Sequence, residues 1–161
     1  MILDIITYPD KVLTKKTKRV GVVDAATKKL IDDMVATLYA NRGAGLAANQ
    51  VGESKQIIVV DESRGEGKVK VLINPKITRK KGAEIMIEGC LSFPGLELEI
   101  KRPVNIEIEY LDRNGREKKM KAEQLLARII CHEVDHLDGK TMLDRLPLLK
   151  RLKMKRQLRK K

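Results

Sequence analysis

The sequence predicts an α+β fold in which antiparallel or mixed β-sheets pack around one buried helix, with a further helix at the C-terminus. Strand-like segments follow one another through the middle of the chain with few helical segments between them, which favours antiparallel pairing over βαβ units. The second observation is a helical segment at residues 123–137 whose apolar residues spread too widely for one narrow stripe. Such a helix is buried on most of its sides.

The first regular element is an amphipathic helix in "DAATKKLIDDMVATLYANRG", residues 24–43. Asp24 is a suitable N-cap, and Gly43 is expected to end the helix. One stripe carries the apolar residues Leu30, Ile31, Met34, Val35 and Leu38. This periodicity predicts an ordinary packing helix.

Four strand-like segments follow: "QIIVVD" at 56–61, "KVLINP" at 70–75, "LELEI" at 96–100 and "VNIEIEYL" at 104–111. In the last segment apolar and polar residues alternate, which is typical of a sheet with one solvated face. The turn sequence "DRNG" comes next and predicts that "REKKMKA", residues 116–122, returns as the partner strand.

Length and charge together predict one domain and a basic tail. A chain of 161 residues suits a single domain, which we place at residues 1–146, followed by a helical tail at 147–161. The net charge is +12, and the tail carries eight Lys and Arg without an acid, which leaves a charge of 12 − 8 = 4 for the rest. This excess predicts attraction to a polyanion such as nucleic acid or an anionic surface.

The cellular compartment is predicted from the shortness of the apolar segments. No stretch reaches the roughly 18 apolar residues of a membrane span, and Asp4 and Pro9 break the opening where a signal peptide needs an apolar run. The chain has two cysteines, which a protein without a secretory signal usually keeps reduced. We therefore expect a cytoplasmic protein without a membrane partner.

The segment "CHEVDH", residues 131–136, carries the strongest chemical signal. His132 and His136 are four residues apart, so on a helix they lie on one face and can bind one ion. Glu133 completes the H-E-x-x-H pattern, in which the glutamate acts as a general base on water at the metal. The alternative is a surface helix end with scattered polar residues. The apolar turns before it and the absence of other histidines argue against that alternative.

A third metal ligand is needed, and the sequence offers it on either side. Downstream, Asp138 and Asp144 remain open. Upstream, Cys90 lies in "EGCLSFPG", residues 88–95, although a lone cysteine is more often a small buried hydrophobe. Cys131 points about a hundred degrees away from His132 around a helix, so we assign it to packing.

The glycine-bearing segment "GAGLAANQVG", residues 43–52, is the second candidate for a ligand contact. It lacks the Lys-Ser/Thr of a phosphate-binding loop and does not follow a strand, so a nucleotide loop is a weak interpretation. Gly43 and Gly45 would let a ligand approach the backbone closely, and Gln50 could offer its amide to an oxyanion.

Taken together, "GAGLAANQ", "EGCLS" and "HEVDH" resemble the three signature motifs of the peptide deformylases, in the same order and at similar separations. The resemblance extends over residues 1 to about 150, includes "YPDKVL" and "LINP", and is to the short bacterial type. It implies that Cys90, His132 and His136 bind the metal. The implied metal is Fe2+, with Zn2+ or Ni2+ able to substitute.

The resemblance also implies a reaction. Water activated by the metal would attack the formyl carbon of an N-formyl-methionyl nascent peptide, and Glu133 would take its proton and pass it to the departing amine. Gln50 and the backbone N–H of Leu91 would stabilise the oxyanion. The peptide would lie extended along the Ala44, Gly45 and Gly89 backbone. Candidates for the methionine pocket are Met86, Leu91, Leu125 and Ile129.

Further expectations concern the surroundings and the tail. Asp135 and Arg102 are hypothesised to support the metal ligands. Ala44 stands where the family often has a larger aliphatic residue, and Cys131 where many members have glutamine.

The resemblance implies that the basic C-terminal helix binds the ribosome, meeting rRNA and proteins near the exit tunnel, and we expect no DNA partner. The alternative is a solvated basic face on a short helix, which Leu148, Leu149, Leu152 and Leu158 would suffice to pack onto the domain.

Two other functions remain open from the residues alone. A metallopeptidase of the H-E-x-x-H kind would share the helix but would not depend on Cys90. A basic RNA- or ribosome-binding module would explain the charge but would leave His132, Glu133 and His136 without a role.

Overall fold

The computed structural model describes residues 1–160, and these form three α-helices and seven β-strands. The helices are α1 (Ala25–Ala40), α2 (Gln124–Leu137) and α3 (Leu148–Leu158). The strands are β1 (Gly45–Ala47), β2 (Ile57–Val60), β3 (Lys70–Lys81), β4 (Glu84–Cys90), β5 (Phe93–Arg102), β6 (Asn105–Leu111) and β7 (Glu117–Glu123). Short 3-10 helices occupy Lys11–Thr14, Ala48–Val51 and Met142–Arg145.

The strands form two antiparallel sheets, which confirms the predicted α+β class. One sheet has five strands in the order β1-β2-β3-β6-β7, and the other is the hairpin β4-β5. The predicted pairing of residues 104–111 with 116–122 is confirmed, with Tyr110 opposite Lys118. Asp112 fixes the connecting turn by accepting hydrogen bonds from the backbone N–H groups of Asn114 and Arg116.

The five-stranded sheet is covered on both faces, which explains why β2 is buried along its whole length. Successive side chains of a strand point to opposite faces. Ile58 and Val60 accordingly join the apolar cluster of α2, whereas Ile57 and Val59 join the cluster of α1. The sheet therefore separates α1 from α2 and leaves α2 free to carry polar residues on its other sides.

Helix α1 begins as predicted and ends differently. The Asp24 side chain accepts a hydrogen bond from Thr27 N at 2.8 Å, so Asp24 is the N-cap. The helix ends at Ala40, and the left-handed residue beyond it is Arg42, with φ of 51°, rather than Gly43. A Cβ at Gly43 would lie 2.9 Å from Leu38 Cδ1, so any other residue there would require the Leu38 side chain to shift.

The strands depart from the prediction around Pro75 and Cys90. Strand β3 continues past Pro75 to Lys81, and its register with β6 shifts between Ile73 and Lys76. This bulge accommodates the proline, which cannot donate a ladder hydrogen bond. Strand β4 was not predicted. Strand β5 is longer than the predicted segment 96–100.

A third apolar cluster joins β5 to the C-terminal part of the chain. Phe93, Leu98 and Ile100 pack against Met142 and Leu143. Helix α3 adds only the partly buried Met154 and Leu158, while Leu148, Leu149 and Leu152 are exposed. The alternative in which those three leucines pack the helix onto the domain was therefore wrong: they lie on its outer side. Within residues 1–160 no helix is long and apolar enough to cross a membrane.

Candidate active site

Helix α2 and the end of β4 bring three soft or borderline donor atoms together. The Nε2 atoms of His132 and His136 lie 3.2 Å apart, and Cys90 Sγ lies 3.3 Å from His136 Nε2. All three atoms fall within 4.8 Å of one another. The histidines meet because they are one helical turn apart, and Cys90 reaches them from the hairpin β4-β5.

This group fits a divalent cation by its chemistry and its spacing. Tetrahedral ligands at the usual Zn–N and Zn–S distances stand about 3.3 to 3.7 Å from one another, close to the two separations observed. Among residues 1–160 no other group of three or more His, Cys, Asp or Glu side chains has this spacing. The predicted downstream alternatives do not join it, since Asp144 caps the 3-10 helix by accepting from Thr141 N and Asp138 is exposed.

Glu88 orients His132. Its Oε1 lies 2.8 Å from His132 Nδ1, so Nδ1 donates to the carboxylate and Nε2 presents its lone pair to the donor group. Glu88 is held in turn by two hydrogen bonds of 3.0 Å from Arg102 and one of 2.6 Å from Arg128. Burial alone would raise the pKa of Glu88, but the hydrogen bonds from His132 and Arg102 outweigh it and lower that pKa to about 2.

Arg102 extends the network to the far side of α2. Its side chain is 2% exposed, and its Nη1 donates to Asp135 Oδ2 at 2.5 Å. Asp135 also accepts from both Nε and Nη2 of Arg145. Asp135 and Arg102, which were hypothesised to support the site, therefore belong to one chain of ion pairs. This chain ends on His132.

Glu133 lies on the other side of α2 from Asp135 and faces β1. Its side chain is buried, and Oε2 has no hydrogen-bond partner among the described residues. Burial is the main reason why the pKa of this carboxyl is raised to about 7. A Cβ built on Gly45 would lie 2.5 Å from Glu133 Oε1, so only glycine lets the β1 backbone approach the carboxylate this closely.

The side-chain amide of Gln50 also points into this site. Its Oε1 accepts from Ala47 N at 2.9 Å, which turns Nε2 toward Ser92 Oγ at 3.1 Å and Cys90 Sγ at 3.6 Å. The neighbouring Asn49 donates from Nδ2 to the backbone oxygen of His136 at 2.6 Å. The 3-10 helix after β1 therefore fixes one end of α2 and supplies the amide.

A cleft of about 560 Å3 opens onto these groups. Most of the predicted substrate contacts line it: Ala44, Gly45, Gly89, Leu91, Leu125 and Ile129. Met86 does not line it and is 41% exposed. Successive side chains of β4 point to opposite faces, and Ile87 lines the cleft where Met86 was expected.

Several residues of the site were not predicted. Glu88 and Arg128 had no assigned role, and Arg42 and Arg64 at the cleft were not considered. Glu88 lies in the quoted segment "EGCLS", two residues before Cys90, so its type and position were visible. Arg128 lies one turn before His132 on α2, where a buried charge signals a carboxylate partner.

The fold and the site together define a metal-dependent hydrolase with its histidines and glutamate on one buried helix. Comparison with known proteins identifies the particular kind. The model of the polypeptide deformylase family matches residues 2–152. A peptide deformylase of Thermodesulfovibrio yellowstonii is 47% identical over 152 residues, covering 93% of this chain and 92% of that protein.

Solved structures agree over nearly the whole chain. The crystal structure of a peptide deformylase from Legionella pneumophila has a TM-score of 0.92 at 38% identity, covering 99% of this chain and 95% of that one. The peptide deformylase from Ehrlichia chaffeensis in complex with actinonin has a TM-score of 0.90 at 42% identity, covering 99% and 96%. The chain belongs to the peptide deformylase family and is an enzyme of that family.

We expect the substitution Arg102→Met to destabilise the protein strongly. It removes the cation shared by Glu88 and Asp135 and leaves two buried carboxylates undercompensated, which typically costs about 3 to 5 kcal/mol. Urea unfolding at neutral pH measures the change in the free energy of unfolding. The control is Arg79→Met, which removes an exposed arginine 3.8 Å from Glu107 and should cost about 1 kcal/mol or less. Equal small losses would contradict the structural role of the network.

Proposed function

We propose that this enzyme hydrolyses the N-formyl group of the N-terminal formyl-methionine of nascent polypeptides and releases formate. The observation that carries the proposal is the convergence of Cys90, His132 and His136 beside the unpartnered carboxylate of Glu133. A cleft wide enough for a peptide end opens onto the same groups. The family match supports the reaction, and the residue roles below are our assignment.

The donor group would hold a divalent cation, which we propose is Fe2+ in the cell, with Zn2+ or Ni2+ able to substitute. A thiolate and two imidazoles suit several of these ions, so availability contributes to the choice. When bound, the cation supplies Lewis acidity, which makes water acidic enough to lose a proton near neutral pH. Glu88 keeps His132 in the tautomer that such binding requires.

Glu133 moves the proton in this proposal. Its carboxylate accepts a proton from the attacking water and delivers it to the amine nitrogen as the bond between formyl carbon and nitrogen breaks. The raised pKa of this buried carboxyl, about 7, suits both steps, because a general base works best when its pKa lies near the working pH. Oε2 accepts no hydrogen bond from the described residues, so the carboxylate is not already bonded to another donor there.

Two donors would stabilise the developing oxyanion. Gln50 Nε2 is already aimed into the site because Oε1 is bonded to Ala47 N. Leu91 follows Cys90 directly and lines the cleft, so its backbone N–H is our second donor. Losing one such donor typically lowers the rate by about a hundredfold or more.

The substrate would bind as an added strand between β1 and β4. Backbone groups of Ala44, Gly45 and Gly89 line the cleft on its two sides and would bond the extended peptide. The methionine side chain would pack against Leu91, Leu125 and Ile129. Met86 is not part of this pocket.

The decisive experiment measures formate release from formyl-Met-Ala-Ser by protein prepared anaerobically with Fe2+, beside cleavage of an internal peptide bond. We expect formate and no internal cleavage. Cys90→Ser should lower bound metal and formate release together, and Cys131→Ser, which changes the cysteine outside the donor group, is the matched control. Internal cleavage that survives Cys90→Ser would favour a metallopeptidase instead.

We expect Glu133→Ala to retain the metal and lose turnover. General acid–base catalysis typically increases a rate by about a hundredfold to ten-thousandfold. We therefore expect kcat to fall by about a hundredfold or more. Metal content by atomic absorption and formate release on the same sample check both halves. Near-normal turnover with full metal would remove Glu133 from the proton transfer.

The C-terminal helix is proposed to hold the enzyme on the ribosome, as a basic tail (147–161) attached to a catalytic domain (1–146) in the cytoplasm. Helix α3 has no fully buried residue, and its exposed Leu149, at 81%, lies beside lysines and arginines. Basic side chains facing rRNA would bind mainly through phosphates, and exposed leucines would suit ribosomal protein near the exit tunnel.

We expect Lys150→Gln/Lys153→Gln/Arg156→Gln to weaken ribosome binding while leaving hydrolysis of the free peptide unchanged. Each lost phosphate contact should reduce the slope of log K against log salt concentration by about 0.7 to 0.9. Cosedimentation with ribosomes at several salt concentrations measures this slope. Unchanged binding and slope would exclude α3 as the contact.

A further inference from the structure

A second cavity, of about 520 Å3, lies on the side of α2 opposite to the cleft. Its helical wall is formed by Cys131, Val134, Asp135 and Asp138, which share one face at spacings of three, four and seven residues. The cleft is lined instead by Ile129, His132 and Glu133 of the same helix. One helix therefore separates two cavities, and the proposed chemistry uses only one of them.

Cationic side chains from separate segments of the chain converge on this second cavity. They are Lys16, Arg19, Lys76, Lys80, Lys101 and Lys140. Within residues 1–160 only Lys16 has an ion-pair partner, Asp138 at 3.8 Å. The other five have no ion-pair partner among the described residues, and the cations that line the cavity outnumber its two carboxylates, Asp135 and Asp138. Such an arrangement is unfavourable for the ligand-free protein.

Two carboxylates, Asp135 and Asp138, also line the cavity. Asp135 lines it and is bound by Arg102 and by the fork of Arg145, which also line it. Arg145 remains 37% exposed, so its guanidinium faces both the carboxylate and solvent. Planar guanidinium groups and ammonium groups are the donors that proteins use for phosphate oxygens.

The residues that line the cavity also limit the kind of ligand that it can bind. It contains no Phe, Tyr, Trp or His, so it offers no surface on which a nucleobase could stack. A volume of this size suits a small ligand. We infer that this cavity is a binding site for a compact free oligophosphate, such as pyrophosphate or the phosphate chain of a nucleotide, recognised through its phosphate oxygens.

The test is calorimetric titration of the metal-loaded enzyme with pyrophosphate at constant ionic strength. The variant Lys80→Gln/Lys101→Gln removes two cations of the cavity, and Lys11→Gln/Lys15→Gln removes two exposed lysines that line none of the cavities described here. We expect saturable binding that weakens at least about tenfold in the first variant, since charged hydrogen bonds contribute that much or more. The control should change less than about twofold, because neither of these exposed lysines lines the cavity and exposed charges are screened by salt.

Folding and chelation are separated from binding within the same experiment. Removing mutually repelling lysines should leave the thermal unfolding temperature of the first variant unchanged or higher. Pyrophosphate also binds divalent cations, so metal content is measured after each titration; metal loss would be the same in both variants. Heat that tracks metal loss, or falls equally in both variants, would overturn the assignment. So would cavity-dependent binding of duplex RNA without binding of pyrophosphate, which would make this surface a nucleic-acid contact.

Discussion

The ion-pair chain from Glu88 through Arg102 to Asp135 is the interaction on which the site depends. Taking each of these charges out of water costs several kcal/mol, and they are retained only because each is paired and hydrogen-bonded. The chain ties β4 and β5 to α2, and Arg145 extends it to the 3-10 helix before α3. The two histidines lie on α2 and Cys90 lies on β4, so the position of Cys90 relative to the histidines depends on this network.

The parts of the site that lie within one element were predictable. His132, Glu133 and His136 follow from helical spacing, and the hairpin of β6 and β7 follows from alternation and a turn sequence. The contacts that join different elements were not predictable. Arg102 bonds residues 14 and 33 positions away, and no local pattern shows which carboxylates it will reach.

Two errors have the same physical origin. The predicted strand segment 70–75 stopped at Pro75, yet β3 continues to Lys81 through a bulge. Asn74 makes this possible: it adopts φ of 51°, and its amide bonds both backbone groups of Val20. Of the four α3 leucines that could have faced inward, only Leu158 does so, together with Met154, whereas Leu148, Leu149 and Leu152 are exposed. In both cases tertiary contacts outweighed a sound local preference.

Gly45 determines how the Glu133 carboxylate is aimed. Most buried carboxylates are oriented by the donors that bond them, as Glu88 is, and such donors reduce their basicity. Here the missing side chain of Gly45 leaves room for Oε1, Ile129 borders the same position, and Oε2 has no hydrogen-bond partner among the described residues. Close packing rather than a bonded donor therefore surrounds this side chain. A carboxyl buried in this way keeps a raised affinity for a proton.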